Sequence, residues 1–113
     1  MKIVKKFMFN SAHFLPHYKG KCKQLHGHTY FLDVILDGEI NPDTGMIMDF
    51  KDIEYIVTTK VIDRLDHKLL NDVIDNPTAE NTILWIRKEL SKIFENNSVT
   101  LRLWENPNSY VEL

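Results

Sequence analysis

The chain has a single cysteine, no long apolar run and no excess of charge of either sign. Cys22 alone excludes an internal disulfide and fits a reducing compartment. Apolar runs stay far below the ~20 residues that a membrane span requires, so no membrane association is expected. Met1-Lys2-Ile3-Val4-Lys5-Lys6 offers no apolar stretch for a secretory signal, and a cytoplasmic location is the expectation. Fourteen basic residues against sixteen acidic ones give a net charge of -2. With no basic stripe among them, nucleic acid is not an expected partner. No repeat, low-complexity segment or linker breaks the 113 residues, so 1–113 reads as one domain.

What is present is a clear change of period along the chain. Residues 2–14 alternate, with Ile3, Phe7 and Phe9 on one face, and predict a strand. Residues 15–25 are polar and lysine-rich, as a loop would be. Residues 26–37 predict a second strand, with Tyr30, Leu32, Val34 and Leu36 on one face and Phe31 and Ile35 on the other. After the Asn41-Pro42-Asp43-Thr44-Gly45 turn, Ile53, Ile56, Val57, Val61 and Leu65 follow helical spacing behind an Asp49 N-cap. A second helix starts after Asn76-Pro77-Thr78, its buried stripe being Ile83, Ile86, Leu90 and Ile93 or Phe94. Val99, Leu101 and Leu103 predict a third strand, and Ser109 to Leu113 a short fourth. Such grouping implies an α+β fold, a four-stranded antiparallel sheet with two helices on one face. The partly apolar second face of strand two then calls for another cover, and a second subunit is the simplest one.

His26-Gly27-His28 opens the second predicted strand. Residues two apart in a strand share a face, so both imidazoles project from one side. If strands one and two pair as a hairpin, His13 falls beside them. Three neutral imidazoles with an open position are the ligand set of a catalytic zinc site, whereas a structural zinc takes four protein ligands. The plainer alternative is three unrelated polar residues at strand ends. His17 breaks the parity and reads as a loop histidine.

Cys22 lies four residues before His26, between Lys21 and Lys23. Neighbouring ammonium groups favour a thiolate, which would make it a base or nucleophile; a small buried hydrophobe is the alternative. Asp66-His67 follows the first helix and by position reads as a terminal charge with a solvated histidine. Glu105 shares parity with Val99, Leu101 and Leu103, so it projects from an apolar face and needs a partner. A basic side chain would serve, and so would a ligand with two adjacent N–H donors, such as the edge of a pterin or guanine. Thr78 is most simply a helix N-cap.

Together these pieces resemble the 6-pyruvoyltetrahydropterin synthase family. The matching blocks are Ala12-His13-Phe14-Leu15-Pro16, Lys19 through His28, Gly45-Met46-Ile47-Met48-Asp49-Phe50, Leu65 through Asn71, Asn76-Pro77-Thr78-Ala79-Glu80-Asn81 and Trp104-Glu105-Asn106. They stand in family order and span residues 7 to about 110. The resemblance implies a tunnelling fold whose subunits close into a barrel, commonly a hexamer of two stacked trimers with active sites at subunit interfaces. It implies zinc on His13, His26 and His28, and Cys22 as the proton-transfer residue. Asp66 and His67 would assist from a neighbouring subunit, and Glu105 would anchor the pterin ring with help from the Thr78 region.

Only Lys23, Gln24 and Leu25 separate Cys22 from His26. That short gap resembles the 6-carboxytetrahydropterin synthase branch, which serves 7-deazaguanine (queuosine precursor) biosynthesis. The tetrahydrobiopterin branch has a longer gap, and a folate-linked branch places a glutamate near the cysteine position. The expectation is a zinc lyase acting on dihydroneopterin triphosphate, whose phosphates Lys19, Lys21 and Lys23 could attract. A 6-pyruvoyltetrahydropterin synthase, a zinc hydrolase and a zinc-stabilised binding module are the rival readings.

Overall fold

The computed structural model describes residues 1–94 and 97–113. Two twelve-residue strands, β1 (Lys2–His13) and β2 (His26–Asp37), pair antiparallel from Lys2 opposite Asp37 to His13 opposite His26. Alternation along each strand decides which side chains are covered. Phe7, Phe9, Ser11 and His13 of β1 and Tyr30, Leu32, Val34 and Leu36 of β2 are all buried.

Helix α1 (Phe50–Val57) starts at Asp49, whose carboxylate accepts from the Lys51 N–H at 2.8 Å. It runs on through a π-helical stretch, Thr58–Ile62, into a last turn, α2 (Asp63–Leu65). Its fully buried residues Ile53, Val57, Val61 and Leu65 are spaced by four. In a regular α-helix that spacing drifts about 40° around the axis per step. The wider π turn absorbs the drift and keeps all four residues in one core.

A two-residue strand, β3 (Lys68–Leu69), precedes α3 (Ala79–Leu90), which the Thr78 hydroxyl caps by accepting from the Asn81 N–H at 3.1 Å. Ile83, Ile86 and Leu90 of α3 are buried, with Phe94 just beyond its end. Strands β4 (Ser98–Asn106) and β5 (Ser109–Glu112) complete a sheet of order β3-β1-β2-β4-β5. The α+β class and helix positions are those expected, but the sheet has five strands rather than four and is not wholly antiparallel. Past α2 the His67 N–H donates to the Asn10 carbonyl at 2.7 Å, and the chain runs parallel along the free edge of β1. Two residues are too few for any periodicity to reveal.

Among the described residues, no helix covers the other face of the sheet. Register aligns Met8, Phe31, Trp104 and Tyr110 in one row across four strands. Met8 is 54% exposed and Val4, near it on β1, 50%. The radius of gyration is 15.2 Å, against about 13 Å for a compact chain of this length. No helix among the described residues is long and apolar enough to cross a membrane.

Candidate metal centre and adjoining cleft

The hairpin register puts His13 directly opposite His26 and Ser11 opposite His28. His13 is 1% exposed, and His26 and His28 are half-buried. Each imidazole offers one nitrogen, and the three lie within 4.8 Å of one another.

The hydrogen bonds decide what those nitrogens carry. His13 Nδ1–H donates to the Pro77 carbonyl at 2.8 Å, and His26 Nδ1–H donates to the Gln24 carbonyl at 2.7 Å. A carbonyl only accepts, so each ring holds its proton on Nδ1 and a lone pair on Nε2. Those two Nε2 atoms face each other at 3.0 Å, where two lone pairs repel unless a cation lies between them. Two nitrogens bound tetrahedrally at ~2.0–2.1 Å to zinc stand roughly 3.3 Å apart. His28 Nε2 is buried with no hydrogen-bond partner, a nitrogen left free to serve as a third ligand. Burial lowers the pKa of both His13 and His28, with neighbouring imidazoles adding to the effect. The residues therefore fit a divalent metal, on the observation of an orphaned buried nitrogen beside two opposed lone pairs.

Glu105 stands next to this cluster, with its carboxylate 3.7 Å from His28 Nε2. It also lines a cleft of about 470 Å³ together with Cys22, Thr78, Leu15, Tyr18 and Tyr110. That volume is of the size that small-molecule sites occupy, ~300–1,000 Å³. Cys22 is a free, half-buried thiol on the short 3-10 turn Lys21–Lys23. Six residues flagged by sequence therefore meet: the three histidines, Cys22, Glu105 and Thr78.

Asp66 and His67 do not join them. Asp66 accepts from the Asn10 N–H at 2.9 Å and pairs with His67 Nδ1 at 3.0 Å. The Asn10 hydrogen bond, then His67, lowers the Asp66 pKa. His67 is 79% exposed in its side chain and has φ of 56°, a left-handed conformation rare outside glycine. It opens onto a second depression, of about 590 Å³, which contains His28 but neither Cys22 nor Glu105.

Sequence reasoning missed the residues that hold the histidines. Pro77 and Gln24 act through backbone carbonyls, which composition cannot reveal. Tyr30, read as a core strand residue, also brings its hydroxyl within 3.3 Å of His13 Nδ1. Burial and the Glu105 carboxylate push its phenol well above the ordinary range. Gly27 gives no close approach within one chain, since a Cβ there would meet only the Ser11 carbonyl at 3.4 Å.

The chain is similar to known proteins over nearly its whole length. The chain is 37% identical to dihydroneopterin monophosphate aldolase of Pyrococcus furiosus, over 99% of this chain and 96% of that one. It is 31% identical to 6-carboxy-5,6,7,8-tetrahydropterin synthase of Haemophilus influenzae, over 98% and 96%. The solved structure of Caenorhabditis elegans 6-pyruvoyl tetrahydropterin synthase superposes with a TM-score of 0.88 at 23% identity, covering 100% of this chain and 94% of that one. The family model described as 6-pyruvoyl tetrahydropterin synthase matches residues 2–113, and the chain belongs to that family.

Proposed function

We propose that this chain is a zinc-dependent carbon–carbon lyase, a 6-carboxytetrahydropterin synthase of 7-deazaguanine biosynthesis. The reaction takes 7,8-dihydroneopterin triphosphate and water to 6-carboxy-5,6,7,8-tetrahydropterin, acetaldehyde and triphosphate. One observation carries this reading: Cys22, Thr78 and Glu105 line a single cleft, and Glu105 touches the three-histidine cluster. Relatives named for the carboxy synthase, and the three-residue gap between Cys22 and His26, support that branch.

Zinc, when bound, supplies a Lewis acid for the hydroxyl and carbonyl oxygens of the substrate side chain, making adjacent C–H groups more acidic. The Glu105 carboxylate accepts the two adjacent N–H donors of the pterin edge and fixes the ring. Cys22 as thiolate takes the side-chain proton. His67, oriented by Asp66, returns a proton from a neighbouring subunit, so the site is complete only in the oligomer. The separation of the Asp66–His67 pair from the Cys22 cleft and the open Met8–Tyr110 row both support assembly. The form proposed is two stacked trimers in the cytoplasm.

A second reading has its own support, because the Pyrococcus furiosus relative covering nearly the whole chain is named as an aldolase. Retro-aldol cleavage of dihydroneopterin monophosphate would give a 6-hydroxymethyl product and glycolaldehyde phosphate, with no P–O bond broken. Mass analysis after incubating zinc-loaded protein with each phosphate ester separates the two. The carboxy product from the triphosphate is expected. A hydroxymethyl product from the monophosphate alone would favour the aldolase, and a pyruvoyl product would overturn the branch.

A further inference from the structure

His13 is the most buried of the three candidate ligands, and an asparagine holds the backbone next to it on each side. On the main-chain side, the Asn71 amide accepts from the Phe14 N–H at 3.1 Å and donates to the Phe14 carbonyl at 2.9 Å. That clamp fixes the backbone one residue beyond His13. The ring end depends on the Pro77 carbonyl, which sits in a turn of its own. Asn76 adopts φ of 47°, and the Thr78 N–H donates to its carbonyl at 2.8 Å, closing a tight three-residue turn around Pro77.

A side chain braces that turn. Asn81 Nδ2 donates to the same Asn76 carbonyl at 2.9 Å. Asn81 is the third residue of α3, where a side chain ordinarily folds back to accept from the N-cap N–H. Here the Thr78 N–H is already spent on Asn76, so the Asn81 amide donates to the Asn76 carbonyl instead. We infer that Asn81 is a positioning residue for the metal centre, bracing the Asn76–Pro77 turn so that the Pro77 carbonyl holds the His13 proton on Nδ1 and frees Nε2 for the metal. The inference rests on the three-histidine metal site proposed above.

The chemistry allows a clean separation from mere stability. Asn81→Asp keeps the shape and the backbone cap on Thr78, and it places a negative charge in the first turn, which helix electrostatics favours. It removes the donor and sets a carboxylate against the Asn76 carbonyl. Asn81→Ala removes the donor without adding charge. Two readings are required of wild type and both variants: zinc affinity by calorimetry, and the His13 ring nitrogen signals of the metal-free protein by NMR. Thermal midpoints of the metal-free proteins accompany them.

Loss of the brace is expected to weaken zinc binding by about 10-fold, the low end of the ~10–100-fold that follows removal of a direct outer partner of a ligating histidine. Asn81→Asp should retain the wild-type midpoint, and in both variants His13 should move from the Nδ1–H form to a mixture of tautomers. Unchanged affinity with unchanged His13 signals overturns the inference. So does weakening without any change in the His13 tautomer, which would mark a structural role only. A wild-type protein that binds no zinc would sink the metal reading instead, while the tautomer comparison would still decide the role of Asn81.

Discussion

His13 Nε2 and His26 Nε2 face each other across 3.0 Å, each with its ring proton committed to a backbone carbonyl on the far side. That opposition, with the orphaned His28 Nε2 beside it, makes the hairpin end a candidate cation site. One zinc per chain is the expected stoichiometry by elemental analysis. His26→Ala should remove it while leaving the fold, since His26 sits at the strand end and is only half-buried. Full zinc retention in that variant would refute the ligand assignment.

Acid should act on the metal-free protein through the same residues. Burial, with the neighbouring imidazoles, holds the His13 and His28 pKa values below the ordinary 6.5. The unfolded chain therefore takes up protons first as pH falls, and binds more of them than the folded chain in that window. The contribution is complete above 6.5 and declines as pH drops from there toward the lower folded values. Thermal midpoints of metal-free protein should fall between about pH 7.5 and about pH 5.5. A rise over that interval would contradict the assignment of neutral buried imidazoles.

Glu105 is expected to act on substrate and not on zinc. Glu105→Gln keeps the size of the side chain but trades a charged double acceptor for a neutral amide. kcat/KM should fall about 10²-fold, the ~3 kcal/mol of a charge-assisted hydrogen bond. Zinc content should stay at the wild-type level, and its loss would reassign Glu105 to the metal.

Separation of Cys22 from His67 makes a quantitative forecast for mixed oligomers. Cys22→Ala and His67→Ala should each be nearly inactive alone. Unfolded together and refolded as an equal mixture, they should regain roughly a quarter of wild-type activity by random assortment of subunits. Failure to regain any, with both variants assembled, would place the two groups in one chain's site or remove one from catalysis. Sedimentation at micromolar concentration should also show an oligomer, and Met8→Glu should weaken it by placing a charge in the open apolar row. A monomeric wild type would refute the assembly.

The hairpin and its histidines were legible in the sequence because strand alternation is rigid. Parity alone put His26 and His28 on one face, and the register then delivered His13 opposite His26. The stripes of both helices were legible because helical spacing is just as regular, although the π stretch within 58–62 was not. A spacing of four fits both a drifting α-helix and a wider turn, and only packing chooses. β3 was hidden because two residues carry no period, and its position follows from the strained His67 turn. Contacts made through the carbonyls of Gln24, Asn76 and Pro77 were equally hidden, since every residue has a carbonyl. Asp66 and His67 had no reading from residue physics beyond a helix terminus, and the resemblance alone gave them a role.

The most direct test of a pterin lyase built on Cys22 and the three histidines is acetaldehyde release from dihydroneopterin triphosphate by zinc-loaded wild type and Cys22→Ala. Wild type should release one acetaldehyde per 6-carboxytetrahydropterin formed. Cys22→Ala, with its zinc intact, should be slower by at least about 10²-fold, the scale of a lost proton-transfer group. Wild-type turnover in Cys22→Ala would contradict the lyase and point instead to metal-activated water.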